Sequence, residues 1–293
     1  MPELPEVETI RRDLEKKILS KKIREIEIKN LRTIKNTLSF FKNKLRGAFF
    51  SKIARRGKLL IFEISEKKFV LLLHLKMTGQ LVYCDEKICL AGGHSLSGNE
   101  KNTGIGGDLP NKHTRVVFIF EDGSKLYFND LRKFGYFKII PKNDLKSIEK
   151  NFGIEPLSPG FTLESFGSLF LNRKTNIKAF LLNQKLIAGI GNIYADEILF
   201  DSGILPNRPV NEIERAEIKR LFNSTNKIFK KAIKHRGTTF NNYVDGSGKK
   251  GNFIRFLKVY GKKGERCAKC GKGIIKKIKI AQRGTSYCDF CQK

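Results

Sequence analysis

Apolar positions Val7, Ile10, Leu14 and Ile18 recur at helical spacing, which predicts an amphipathic helix near the start of the chain with one face against a core. From Lys22 to Ile140 the period shortens to β-type runs, among them residues 26–28, 59–64, 69–75, 116–120 and 125–128. The last two flank Glu121-Asp122-Gly123-Ser124, a good hairpin turn. The region therefore reads as a β-rich domain, a two-sheet sandwich. Between Leu90 and Asn111 the residues are mostly Gly, Ser and Asn with few apolar side chains, and a long flexible surface loop, an insertion, is expected there.

From about residue 143 helical signals take over, at 162–170, 175–182, 193–200 and 212–234. The last carries Ile218, Leu221, Phe222, Phe229 and Ile233 on one face. Ala188-Gly189-Ile190-Gly191-Asn192-Ile193-Tyr194 joins two of these helices. Its glycines would let backbone N–H groups approach a phosphate at a helix N-terminus, with Asn192 at the cap; the same residues also suit a tight helix-to-helix turn.

Composition adds a partner. Lys and Arg total 58 against 29 Asp and Glu, a formal charge of +29, which calls for a polyanion, and nucleic acid is the expected one. A membrane surface is the rival polyanion, but no stretch approaches about 18 uncharged apolar residues and no secretory or lipidation signal is visible. A cytoplasmic protein is expected. Four of the six cysteines fall as Cys267-x2-Cys270-x17-Cys288-x2-Cys291, the spacing of a four-thiolate zinc ribbon. Four thiolates close the coordination shell, so one structural Zn²⁺ is expected and no metal-bound water. Between the two cysteine pairs lie a β-type run at 274–280 and the tip Ala281-Gln282-Arg283-Gly284-Thr285, which would hold Arg283 toward a DNA groove. Cys84 and Cys89 read most simply as unpaired thiols, with a fifth and sixth metal ligand as the alternative, and no role is assigned to them.

The chain opens Met1-Pro2-Glu3-Leu4-Pro5-Glu6-Val7-Glu8. Removal of Met1 would leave Pro2 with a free secondary amine. An α-amino group titrates near 7.7 to 8.0, against about 10.4 for lysine, so part of it is already a neutral nucleophile near neutral pH. A secondary amine condenses with an aldehydic sugar carbon to an iminium ion, which draws electrons from its neighbours. Position alone favours the structural reading, in which Pro2 and Pro5 are N1-type prolines of a helix whose dipole Glu3, Glu6 and Glu8 complement; both readings can hold together.

Taken together, the Pro-Glu-Leu-Pro-Glu-Val-Glu opening, the Gly-Ile-Gly-Asn-Ile-Tyr-Ala-Asp-Glu segment and the four-cysteine finger resemble formamidopyrimidine-DNA glycosylase, a bacterial base-excision family for oxidised purines. The resemblance runs nearly end to end, the stretch at about 92 to 110 excepted. It implies a multi-domain α+β fold: an N-terminal helix and β-sandwich catalytic domain (1–142), a helix-two-turn-helix domain with a base-capping lid (143–258) and a zinc β-ribbon (259–293). It implies that Pro2 attacks C1′ of the damaged nucleotide, that Glu3 handles protons with Glu6 in support, and that Lys58, in Arg55-Arg56-Gly57-Lys58, is a general acid. Arg283 becomes a phosphate clamp tied to the δ-elimination step. Met77, Arg132 and Phe134 fill the space left by an extruded base. Phosphates fall to His113, Lys174 and Asn192, and His74 has two readings, a contact to the DNA backbone or a satisfied semi-buried residue. The segment from Arg236 to Tyr260 resembles the lid over the extruded base.

The partner implied is double-stranded DNA with oxidised bases, bound by a monomer. Two other readings stay open: the sister enzyme endonuclease VIII, which prefers oxidised pyrimidines, and a non-catalytic damage binder. All the chemistry depends on the removal of Met1.

Overall fold

In the computed structural model, which describes residues 1–65, 68–93, 109–238 and 252–293, helix α1 spans Leu4–Ile18. It buries Val7, Ile10, Leu14 and Ile18, the four positions of the predicted apolar stripe. Glu3 caps it in a reciprocal capping box with Glu6, and Pro5 sits in the first turn, where no N–H is missed. Pro2 precedes the cap, so it is not an N1 proline.

The chain divides into two compact units, Met1–Glu149 with His235–Ile254, and Lys150–Lys234 with Arg255–Lys293. Among the described residues the first holds nine strands: β1 Ile23–Ile28, β2 Phe50–Arg56, β3 Leu59–Ile64, β4 Phe69–His74, β5 Gly79–Cys84, β6 Cys89–Gly93, β7 Thr114–Phe120, β8 Lys125–Asp130 and β9 Tyr136–Pro141. They form a five-stranded sheet, β1-β7-β8-β5-β6, and a four-stranded sheet, β2-β3-β4-β9, with every pairing antiparallel. Their inner faces share one core with α1, in which Phe118 and Phe128 of the larger sheet meet Phe137 of the smaller at 5.5 and 5.1 Å. These aromatic contacts lock the two sheets face to face, the sandwich that the alternating pattern predicts.

Two expectations need correction. The segment from Leu90 is not loop from its start: Cys89–Gly93 is an edge strand whose ladder hydrogen bonds to β5 override weak β-propensity. Residues 94–108 of the expected loop lie outside the described residues. Cys84 and Cys89 are not unpaired thiols; the β5–β6 hairpin sets them directly opposite one another, and they form a disulfide. Their separation in sequence carries no hint of this, because the pairing depends on the unforeseen strand.

The second unit contains α4 Leu163–Ser168, α5 Ile177–Leu182, α6 Asn192–Ser202 and α7 Arg215–Lys234, following α2 Leu38–Leu45 and α3 Leu145–Glu149 in the first. Phe161, Phe166, Phe170, Phe180 and Phe222 form a chain of ring contacts between these helices, and Tyr194 packs edge-on against Phe229 at 5.2 Å. The β10–β11 hairpin, Lys276–Ile280 and Arg283–Tyr287, completes the unit. No helix among the described residues is long and apolar enough to cross a membrane.

Candidate active site and nucleic-acid interface

Pro2 and Glu3 are buried at the start of α1, with Glu3 only 2% exposed. The Glu6 carboxylate holds three donors: the Glu3 N–H at 2.9 Å, the Thr238 N–H at 2.7 Å and the Thr238 hydroxyl at 3.1 Å. It thereby binds the beginning of the chain to the segment that leaves α7. Gly237 makes this possible: it has φ +77°, and a Cβ there would lie 2.5 Å from the Glu6 carboxylate. Of the expected lid, Arg236 to Tyr260, residues 239–251 lie outside the described residues.

Lys58 occupies a two-residue turn between β2 and β3, after Gly57 at φ +56°, and is only 6% exposed. It is therefore not the solvated cation that its place before a strand would suggest. The α-amine of Met1 is close to it. Burial lowers the pKa of that amine below its ordinary 8.0, Glu3 and Glu6 oppose the shift, and Lys58 adds to it. With Met1 in place the Pro2 nitrogen is an amide nitrogen, so the Met1 amine reports the environment rather than the nucleophile itself. His74, at the end of β4, is half-buried, and its Nδ1 accepts the Lys76 N–H at 3.0 Å. Burial, then Lys76 and Lys58, push its pKa down to about 3, so the ring stays neutral with its proton on Nε2.

A second constellation is built around Asp130, which has no exposed surface. Its Oδ1 accepts the Thr78 hydroxyl and the Arg132 N–H, its Oδ2 accepts the Gly135 N–H at 2.7 Å, its own N–H donates to the His113 carbonyl at 2.9 Å, and its carbonyl accepts Arg115 Nε at 2.8 Å. One aspartate thus joins the β4–β5 turn carrying Met77, the β8–β9 loop carrying Arg132 and Phe134, and the segment carrying His113. Phe134 is 53% exposed, and the Arg132 guanidinium stacks over its ring at 4.8 Å. Met77 is half-buried. Core packing therefore does not account for Phe134.

Replacing Asp130 with Ala leaves the buried Gly135 N–H and the Thr78 hydroxyl without their acceptor, while the Arg132 N–H keeps Thr78 Oγ1 at 2.9 Å. At about 1–3 kcal/mol for each group, a loss of several kcal/mol is expected. Urea denaturation followed by circular dichroism measures it, and an unchanged midpoint would show that Asp130 does not hold these loops.

In the second unit Lys174 is exposed ahead of α5, whose cap is Asn176. Asn192 is not the cap of α6; Gly191 is, and Asn192 is the first helical residue. Its side chain turns away from its own helix, and Nδ2 donates to the Gly284 carbonyl at 2.9 Å. Gly284 follows Arg283 on the hairpin, whose two-residue turn, Ala281-Gln282, has positive φ at both positions. Lys178 and Asp196, a fully buried ion pair, complete the anchorage: Asp196 accepts the Ser286 N–H at 2.9 Å, and Lys178 reaches the Gly284 carbonyl at 3.4 Å. Burial pushes the Asp196 carboxyl up to about 6, against the pull of Lys178 and of the Ser286 N–H. Glu197 accepts three consecutive backbone N–H groups, from Lys258, Val259 and Tyr260, and so pins the chain that enters the ribbon.

The sulfurs of Cys267, Cys270, Cys288 and Cys291 lie within 4.8 Å of one another. A tetrahedral ion with sulfurs at about 2.3 Å sets neighbouring sulfurs about 3.8 Å apart. The Cys267–Cys291 and Cys270–Cys288 separations are 3.7 and 3.9 Å, far beyond a disulfide and fitted to such an ion. Gly273 belongs to the cradle, since a Cβ there would lie 2.6 Å from the Cys288 sulfur.

Comparison with known proteins agrees with this geometry. A family model described as Formamidopyrimidine-DNA glycosylase N-terminal domain matches residues 1–137, and one described as Formamidopyrimidine-DNA glycosylase H2TH domain matches residues 152–243. The chain belongs to the formamidopyrimidine-DNA glycosylase family. A family member from Pelotomaculum thermopropionicum is 39% identical over 296 residues, covering 100% of this chain and 99% of its own. Another, from Listeria innocua, is 40% identical over 297 residues and covers 100% of both chains. Among solved structures, a mutant of the Lactococcus lactis FPG protein in complex with Fapy-dG-containing DNA is 36% identical, with a TM-score of 0.85 over 100% of both chains. The Lactococcus lactis Fpg complex with DNA containing an abasic site is 36% identical, with a TM-score of 0.84 over 99% of both. The formamidopyrimidine-DNA glycosylase fold, with an α+β make-up, a helical H2TH domain and a cysteine cluster suited to a metal, is thus the fold of this chain.

Sequence reading missed Asp130 as the organiser of the loops in the first unit, and Lys178, Asp196 and Glu197 as anchors within the second. Their one legible signal was the set of charged residues inside otherwise apolar runs, since a charge that folds into a core needs a partner there.

Proposed function

We propose that the protein is a bifunctional DNA glycosylase and abasic-site lyase that removes oxidised purines, 8-oxoguanine and formamidopyrimidines, from duplex DNA. The observation that carries this reading is the burial of the amino end of the chain among Glu3, Glu6 and Lys58. After loss of Met1, the neutral Pro2 amine attacks C1′ and the glycosidic electron pair leaves with the base; the nitrogen gives up its N–H proton, which balances the proton that the departing base gains. Lys58 is the general acid of the reaction. Glu3, protonated, donates to the sugar ring oxygen as C1′–O4′ opens to the iminium; ionised, it stabilises that cation. The iminium acidifies C2′, whose proton loss expels the 3′ phosphate, and a further elimination expels the 5′ phosphate.

Met77, Arg132 and Phe134 enter the vacated stack: Arg132 bonds the orphaned base and Phe134 wedges the step. His113, Lys174, Asn192 and Arg283 bind phosphates, and His74, neutral with Nε2–H free of its Lys76 bond, suits a phosphate oxygen. One Zn²⁺ held by Cys267, Cys270, Cys288 and Cys291 supplies rigidity and no chemistry. A cytoplasmic, nucleoid-associated location goes with this activity.

Borohydride trapping on duplexes containing 8-oxoguanine or thymine glycol tests the reading. A covalent complex is expected with the 8-oxoguanine duplex. Its absence from protein with a verified Pro2 terminus would sink the lyase reading, and preference for thymine glycol would move the protein to the endonuclease VIII specificity.

A further inference from the structure

Glu8, the last acidic residue of the opening motif, belongs to none of the roles above, yet its side chain is only 10% exposed. Three guanidinium groups converge on it: Arg11 at 2.9 and 3.1 Å, Arg12 at 2.7 Å and Arg55 at 3.0 Å. Arg11 and Arg12 come from its own helix, one turn on. Arg55 comes from β2, 47 residues away in sequence, and is itself only 10% exposed. While its Nε donates to Glu8, its Nη1 donates to the Gly57 carbonyl at 3.0 Å. Gly57 immediately precedes Lys58. A continuous link therefore runs from the helix that begins beside Pro2, through Glu8 and the rigid Arg55 fork, to the turn that presents Lys58.

We infer that Glu8 is a positioning residue for Lys58, acting through Arg55 to fix the turn against the nucleophile's helix. A lysine has four rotatable side-chain bonds, so its useful placement depends on a backbone that does not drift. An arginine fork can hold a carboxylate and a carbonyl at once; a lysine in its place reaches one of them. Glu8 is suited to a permanent role: burial pushes its carboxyl up, but the hydrogen bonds from Arg11, Arg12 and Arg55 hold it down at about 2, so it is ionised at neutral pH.

The inference rests on the proposed role of Lys58, and the experiment separates the two. Single-turnover base release from an 8-oxoguanine duplex is compared with duplex Kd for Glu8→Gln, Arg55→Lys, Arg12→Gln and Lys58→Ala, and for the first two combined with Lys58→Ala. Glu8→Gln and Arg55→Lys are each expected to slow base release about ten-fold or more at a Kd within about two-fold, and neither should slow the Lys58→Ala protein further. Arg12→Gln, which removes a Glu8 partner but leaves the Arg55 link, keeps the unmodified rate. Should Glu8→Gln fail to fold with its guanidinium cluster uncompensated, Arg55→Lys, which preserves every charge, decides the matter. Additive slowing on the Lys58→Ala background, or unchanged rates in folded Arg55→Lys protein, would overturn the positioning role alone. An unchanged rate in Lys58→Ala would overturn both that role and the assignment of Lys58.

Discussion

Protein in which Pro2 remains inside a peptide bond, for instance behind an uncleaved N-terminal extension, forms no borohydride-trapped complex and releases no base, yet keeps its affinity for a lesion duplex. The cause is electronic. An amide nitrogen has given its lone pair to the carbonyl and has none to offer C1′, whereas an α-amine does. The surroundings sharpen the contrast, because burial and the nearby Lys58 lower the pKa of an amine at this end of the chain, and a lowered pKa enlarges the neutral fraction at neutral pH. Glu3 and Glu6 limit that shift and remain available for the cation that forms later. The rate should fall by at least about three orders of magnitude, equivalent to about 4 kcal/mol of barrier. Intact mass establishes the terminus, trapping reads the covalent step, and fluorescence anisotropy reads binding. Trapping at the unmodified rate in extended protein would remove Pro2 from the mechanism, and a lysine amine would have to take its place.

Removal of the metal is expected to abolish duplex binding, and restored Zn²⁺ to recover it. The apparent stabilisation from a structural zinc is on the order of 10–16 kcal/mol, far more than the short β10–β11 hairpin can replace by packing. The ribbon's small core, Val259, Cys267, Ile275 and Cys288 with Phe200 of α6, is built around two of the metal-site cysteines themselves. Its loss frees the hairpin from Asn192, Lys178 and Asp196 and removes Arg283 from its place beside Asn192. The sandwich has its own core and should keep its β signal in circular dichroism. Anisotropy titrations before and after chelation, at one fixed salt concentration because phosphate contacts are salt-sensitive, measure the effect. Equal affinity in protein shown to be metal-free would contradict it.

The parts of this protein legible in its sequence are those with local periodicity or fixed spacing. The stripe from Val7 to Ile18 marked α1 because an apolar face of period 3.6 must find a core. The Cys267-x2-Cys270 and Cys288-x2-Cys291 pairs marked a cluster of four cysteines that could hold a metal ion, because tetrahedral coordination demands short loops between ligands. The opening motif pointed to Pro2 and Glu3, and the charge of +29 to a polyanion. Less visible were elements whose stability comes from a neighbour: the β6 edge strand, the Cys84–Cys89 bond that depends on it, and the cap of α6, which is Gly191 because Asn192 is engaged by Gly284.

The sequence by itself therefore determined which candidate reactive groups, candidate ligands and net charge the chain carries, since these are properties of residue type. Only the tertiary structure decided how those groups are held. Asp130 gathers Thr78, His113, Arg115, Arg132 and Gly135, Lys178 meets Asp196 and the Arg283 hairpin, and Glu8 reaches Gly57 through Arg55. Each of these joins residues far apart in the chain. Such contacts form because a buried charge or backbone donor must be satisfied wherever the fold happens to bring a partner, and no local pattern encodes that meeting.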